Sequence, residues 1–228
     1  MTLSDKNIQL AVLDMAGTTV ADGGLVLRAF EVAATAGGID PDGPRREQAI
    51  RYVIDTMGQS KIEVFRALTG DEERARTANA AFERAYDDLV DEVDIAPVPG
   101  AAEAITALRE AGVKVALTTG FSRGTQDKLL NALGWRDLAD LTVAPAEAGR
   151  GRPFPDLVLA AVLRLRADAV DRVAVLGDTT SDIATGLAAG ARIVAGTLTG
   201  AHDEQRLRAA GATHIVASVT DFPAIVLA

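Results

Sequence analysis

Ile8–Val20 reads IQLAVLDMAGTTV: a mostly apolar run from Ile8 to Leu13 ends abruptly on a carboxylate, Asp14, and Ala16-Gly17-Thr18-Thr19 follow at once. A short run, β-branched in part and closed by a glycine, predicts a buried parallel strand. In an open α/β sheet, ligands sit beyond the carboxyl ends of the strands, which puts Asp14 at the expected site. Taken alone, an aspartate this close to glycine reads equally well as a capping or turn residue. The rest of the chain tips that balance.

From Leu25 to about Ala96 no strand pattern appears, and helical patterns cover Leu25–Ala36, Arg45–Met57, Lys61–Leu68 and Glu72–Val93. The segment Ala96-Pro97-Val98-Pro99-Gly100 is a stiff connector, so residues 21–24 and 96–100 are expected hinges around a helical insert. From Gly100 the alternation is regular. Strands are expected at Val113–Leu117, Leu141–Val143, Val173–Leu176, Arg192–Ala195 and His214–Val216, with helices between them. Such alternation predicts an α/β fold with a doubly wound parallel sheet. The expected division is a core of residues 1–20 and 100–228 and a helical cap of residues 21–99.

Composition narrows the partners. With 228 residues the chain can form one large domain or a core with an insert. It has no cysteine, which excludes disulfides and thiolate metal sites. The stretch Met1–Asn7 does not resemble a signal peptide, and no apolar stretch nears the roughly 20 residues that span a bilayer. A formal net charge of −9 argues against nucleic acid or an anionic membrane as partner. A cytoplasmic protein acting on a small molecule is expected, and a homodimer is left open as its assembly. An anionic substrate would need a local cluster of cations.

Polar residues follow the apolar strands at Asp14, Thr118, Arg152, Asp178 and Asp182. Two carboxylates on separate strand ends suit a hard divalent ion such as Mg²⁺. Thr118 offers a hydroxyl, the Thr119 backbone N–H opens towards the same space, and Arg152 supplies a planar fork of the kind that grips phosphate. A carboxylate nucleophile beside these groups is equipment for phosphoryl transfer through an aspartyl phosphate. Each residue separately has an ordinary structural explanation; their joint placement at successive strand ends does not.

Four motifs in order, Asp14-Met15-Ala16-Gly17-Thr18, Leu117-Thr118-Thr119-Gly120, Arg152-Pro153-Phe154-Pro155 and Gly177-Asp178-Thr179-Thr180-Ser181-Asp182, resemble those of the haloacid dehalogenase superfamily over nearly the full chain. That resemblance implies a Rossmann-like core with a helical cap inserted after the first strand. It implies Asp14 as nucleophile and Mg²⁺ held by Asp14, the Ala16 carbonyl and Asp178, with Asp182 supporting the metal site. Thr118 and Arg152 would then hold the phosphoryl group. Most phosphatases of the superfamily carry an acidic residue two positions after the nucleophile and a lysine in the third motif. Ala16 and Arg152 stand there in this chain, as in the phosphonoacetaldehyde hydrolase (phosphonatase) branch. An alanine fits cleavage of a carbon–phosphorus bond, where no ester oxygen needs a proton.

Phosphonatases use a cap lysine that forms an imine with the substrate aldehyde. Met57-Gly58-Gln59-Ser60-Lys61-Ile62-Glu63 resembles that cap segment, which implies Gly58 and Lys61 as substrate-binding residues and Lys61 as imine former. A cation that merely contacts substrate, and a surface lysine, are the other readings of Lys61. An imine former needs a neutral amine, hence a site that lowers its pKa. Where phosphonatases place a histidine three residues further on, this chain has Val64, and neither His202 nor His214 lies in the insert.

The leading expectation is a Mg²⁺-dependent hydrolase of phosphonoacetaldehyde or a related small phosphonate. The alternatives are a phosphomonoesterase of a small metabolite and a catalytically silent phosphate-binding protein. If Asp14 is the nucleophile, Asp14→Asn abolishes phosphate release while the circular dichroism spectrum is unchanged. Near-wild-type release by that variant would refute the assignment.

Overall fold

The computed structural model describes residues 7–228; residues 1–6, at the start of the expected core segment, lie outside the described residues. Strand β1, Leu10–Asp14, is apolar up to its terminal aspartate because both its faces are covered. Ala11 and Leu13 enter one hydrophobic cluster, and Leu10 and Val12 enter another on the opposite face. A half-exposed strand would instead alternate polar and apolar residues.

Five further strands follow: β2 Lys114–Thr118, β3 Leu141–Val143, β4 Val173–Gly177, β5 Ile193–Thr197 and β6 His214–Val216. All pairings are parallel, in the order β3-β2-β1-β4-β5-β6. β1 therefore lies between β2 and β4, where the strand order reverses, and Asp14 is in register with Thr118. β2 extends one residue further than the sequence pattern indicates, since that register makes Thr118 its last paired residue. This is the rule for ligand sites in doubly wound sheets: the crevice opens beyond the strand ends at the switch point.

Between β1 and the next strand stand α1 Leu25–Ala36, α2 Pro44–Asp55, α3 Lys61–Thr69, α4 Glu72–Glu92 and α5 Ala101–Glu110. Asp71 caps α4 by accepting a hydrogen bond from the Arg74 N–H, and α3 stops at Gly70 in the left-handed conformation. The chain leaves and returns to the sheet region side by side: Ala21 N–H donates to Ala96 O at 3.0 Å, and Val98 N–H donates to Thr19 O at 3.0 Å. The later helices are α6 Arg123–Ala132, the single turn α7 Pro145–Ala148, α8 Asp156–Leu165, α9 Thr180–Ala189, α10 Glu204–Ala209 and α11 Phe222–Val226. The turn α7 falls in the stretch after β3 that reads as loop in the sequence; Pro145 at its first position and the Glu147 carboxylate on the Ala144 N–H stabilise it.

One apolar cluster is continuous from the inserted helices to one sheet face. A ladder of rings runs through it, with Phe30–Phe65 at 5.9 Å, Phe82–Tyr86 at 5.9 Å and Tyr86–Phe121 at 4.6 Å between centroids. Phe121 follows β2, so the ladder joins the insert to the sheet. Phe65 is fully buried in its middle, and Phe65→Ala should cost about 3–5 kcal/mol of unfolding free energy. Urea denaturation would show it as a lower midpoint at an unchanged slope.

Candidate active site

After Asp14 the backbone turns sharply, with the N–H groups of Thr18, Thr19 and Val20 all directed at the Met15 carbonyl. Gly17 takes φ +86°, and a Cβ there would lie 2.5 Å from the Asp178 Oδ2 atom. The glycine is required twice, by conformation and by space. The Thr18 hydroxyl donates to Asp178 Oδ1 at 3.1 Å, Ala201 N–H donates to Asp178 Oδ2 at 2.7 Å, and the Thr19 hydroxyl donates to the Asp14 carbonyl at 2.9 Å. The carboxylates of the first and fourth motifs are thus brought together by the loop that separates Asp14 from the insert.

Arg152 sits beneath them, 5% exposed. Its guanidinium pairs with Asp14 Oδ1 at 2.7 Å and Asp182 Oδ1 at 2.8 Å, and donates to the Thr118 hydroxyl at 2.8 Å and the Gly58 carbonyl at 3.3 Å. Asp182 is held on its other oxygen by the Thr179 N–H and hydroxyl, the capping box that opens α9.

Asp14, Asp178 and Asp182 are all buried, and one ligand atom from each lies within 4.8 Å of the others. Burial raises Asp14 well above the ordinary carboxylate range, against the pull of Arg152, and burial together with Asp182 pushes Asp178 up to about 7. Three carboxylates around one guanidinium leave an unbalanced negative charge, which a hard divalent cation with oxygen ligands would relieve. The donor set fits such an ion, with Asp182 already engaged on both oxygens and so better placed to orient Arg152 than to coordinate freely.

A cavity of about 360 Å³ opens above these groups. Asp14, Ala16, Gly58, Lys61, Thr119, Arg152 and Asp178 line it. Of the residues singled out in the sequence, Thr118 and Asp182 stand behind this wall, both holding Arg152.

Lys61 begins α3, with its amine 5.4 Å from the Phe121 ring centroid and 5.7 Å from that of Phe82. Burial lowers its pKa from 10.5 to about 8, an effect that outweighs the nearby carboxylates. A cation at a helix N-terminus is also opposed by the helix dipole. Val64, by contrast, is buried in the hydrophobic cluster and does not line the cavity.

The loop before Lys61 fits against the sheet side through glycines. A Cβ on Gly58 (φ +85°) would meet the Thr179 hydroxyl at 2.5 Å, one on Gly151 would meet Ser60 Cβ at 2.9 Å, and one on Gly120 would meet the Gln59 and Gly58 carbonyl oxygens at 2.6 and 2.7 Å. His202 adds a tie: the Thr180 N–H donates to its Nδ1 at 2.9 Å, so Nε2 carries the hydrogen and donates to Ile54 O in α2 at 3.0 Å. His202 is therefore a buried structural residue and His214 an exposed one. Asp22 was legible only as part of the expected hinge at residues 21–24, yet it lines the cavity. Its available signal was an aspartate just ahead of a helix start, with Gly24 and Val26 N–H groups as partners.

A model of haloacid dehalogenase-like hydrolases matches residues 8–190. A phosphonoacetaldehyde hydrolase of Parabacteroides distasonis is 27% identical, over 97% of this chain and 96% of its own, and one of Bacillus thuringiensis is 30% identical over 80% and 73%. In fold, a phosphonoacetaldehyde hydrolase-like protein from Oleispira antarctica superposes with a TM-score of 0.82 at 24% identity, covering 99% of this chain and 95% of that one.

The Gly120 contact gives a test of the loop's position. Gly120→Ala sets a methyl against two backbone oxygens, which must move, and Lys61 moves with them. Turnover should fall at least about tenfold, a change of roughly 1.4 kcal/mol in the barrier, with a far smaller change in melting temperature.

Proposed function

We propose a specific activity for this chain, which belongs to the haloacid dehalogenase-like hydrolase family: Mg²⁺-dependent cleavage of the carbon–phosphorus bond of phosphonoacetaldehyde or a related small phosphonate. The observation that carries the reading is that Lys61, with its pKa lowered to about 8, shares one small cavity with Asp14. Relatives named phosphonoacetaldehyde hydrolase support it. In this reading residues 21–99 are the cap and residues 100–228, with the β1 segment, the core.

The Lys61 amine adds to the substrate carbonyl and, with loss of water, becomes an iminium ion. An Asp14 oxygen forms a bond to phosphorus while the carbon–phosphorus bond breaks and its electron pair flows into the iminium, giving an enamine. Protonation of the enamine carbon and hydrolysis of the imine release acetaldehyde, and water cleaves the aspartyl phosphate. Arg152, steadied by Thr118 and Asp182, holds the phosphoryl oxygens, with the Thr119 backbone beside them. Ala16 presents no acid because no alkoxide leaves. Asp14, Asp178 and the Ala16 carbonyl would hold Mg²⁺, with Asp182 in support, and the ion would offset the charge of the phosphonyl oxygens.

Val64 favours a second reading, a phosphomonoesterase in which Lys61 only contacts substrate, because that buried valine supplies no proton shuttle. Phosphate release from phosphonoacetaldehyde and from a panel of phosphate esters, with Mg²⁺ and with excess chelator, separates the two. A phosphonatase should also be blocked by borohydride plus aldehyde substrate, with the mass increase on Lys61. Because the neutral amine is the reactive form, deprotonation of Lys61 should favour trapping as pH rises towards about 8. Lys61→Arg keeps the charge and should lose several orders of magnitude in turnover; a loss of about tenfold or less would mark a binding cation.

A further inference from the structure

We propose that Asp22 is the acid–base residue that moves the proton when Lys61 condenses with the substrate aldehyde. The inference rests on the imine reading of Lys61 and adds the group that reading lacks. Forming an iminium from an amine and a carbonyl expels the carbonyl oxygen as water, which requires an acid within the cavity. The candidates there are few. Asp14 is bound to Arg152 and, with Asp178, would hold the cation, and Asp182 stands behind the cavity wall. Both ring nitrogens of His202 are engaged, and Val64 is apolar and buried.

Asp22 differs from all of these. It lies in the connection from β1 to α1 and lines the cavity with Lys61. Its oxygens accept from the Gly24 N–H at 3.1 Å and the Val26 N–H at 3.4 Å, so the start of α1 fixes its orientation. Among the described residues neither Asp22 nor Lys61 has an ion-pair partner within 4.0 Å, while Asp22 is the carboxylate that acts most strongly on Lys61. The two groups thus line one cavity without pairing with each other. Burial raises the Asp22 pKa, which keeps the acid form available to higher pH than in water.

The step balances as follows. Neutral Lys61 adds to the carbonyl carbon, and transfer of a nitrogen proton to the oxygen gives the carbinolamine. The Asp22 carboxylic acid then protonates the hydroxyl group, which leaves as water while the nitrogen lone pair forms the C=N bond. Iminium, water and the Asp22 carboxylate result. In product release the carboxylate takes the proton back from the attacking water.

The test is the rate of borohydride trapping on Lys61 with phosphonoacetaldehyde, compared between wild type, Asp22→Asn and Asp22→Ser, the last keeping a hydroxyl acceptor for the α1 N–H groups. Both variants should trap at least about a hundredfold more slowly, the usual scale of a lost general acid. Inhibition by inorganic phosphate should be unchanged, and formate or acetate should restore part of the rate in Asp22→Ala. Equal trapping in wild type and Asp22→Asn would overturn the proposal while leaving the imine reading intact. Slow trapping without rescue by either acid would overturn proton transfer in favour of a structural role. Absence of any adduct in the wild type would overturn the imine reading, and the proposal with it.

Discussion

The guanidinium of Arg152 is the constraint on which the site depends. Three carboxylates buried at the end of one sheet repel each other and cannot all ionise without a counter-charge. Arg152 meets two of them directly, and the Thr118 hydroxyl and the Gly58 carbonyl complete its bonds. Removal of one partner from such a buried pair typically costs about 3–5 kcal/mol, because the other is left charged and unpaired. One side chain therefore serves two purposes. It makes the carboxylate cluster tolerable, and through the Gly58 carbonyl it ties that cluster to the loop carrying Lys61.

The cavity above Arg152 joins two unlike environments. One end has buried acids, threonine hydroxyls and a fixed cation, suited to a doubly charged phosphoryl group and a divalent ion. The other end has Lys61 over two aromatic rings and Asp22 on the connection that leads into the insert. Lys61 is buried at that end, so the amine is more readily neutral than in solution. At about 360 Å³ the space is at the small end for ligand pockets.

The two halves meet through close backbone approach. Gly58, Gly120 and Gly151 each stand where a β-carbon would collide with the opposing segment. The ring ladder from Phe30 to Phe121 and the His202 bridge between Thr180 and Ile54 hold the same junction at longer range. The position of Lys61 relative to Asp14 is set by these contacts together, since each belongs to a different part of the chain.

The sequence by itself determined the architecture and singled out many residues of the candidate site. Buried parallel strands must be apolar throughout, so β1 and β4 declared themselves, and Asp14 and Asp178 stood out as the charges that end them. The helical insert was equally plain, because its apolar positions recur at helical spacing for some seventy residues between two strands. What local pattern cannot hold is distance between residues remote in the chain. Only the tertiary structure decided that Thr118 and Asp182 lie behind the cavity wall with Arg152, and that Val64 faces the apolar cluster. The same is true of Asp22, an ordinary turn residue in sequence that folding sets across a small cavity from an amine with which it forms no ion pair. The local chain specifies strands, turns and caps, whereas the electrostatics of a site arise from burial and from charges dozens of residues apart.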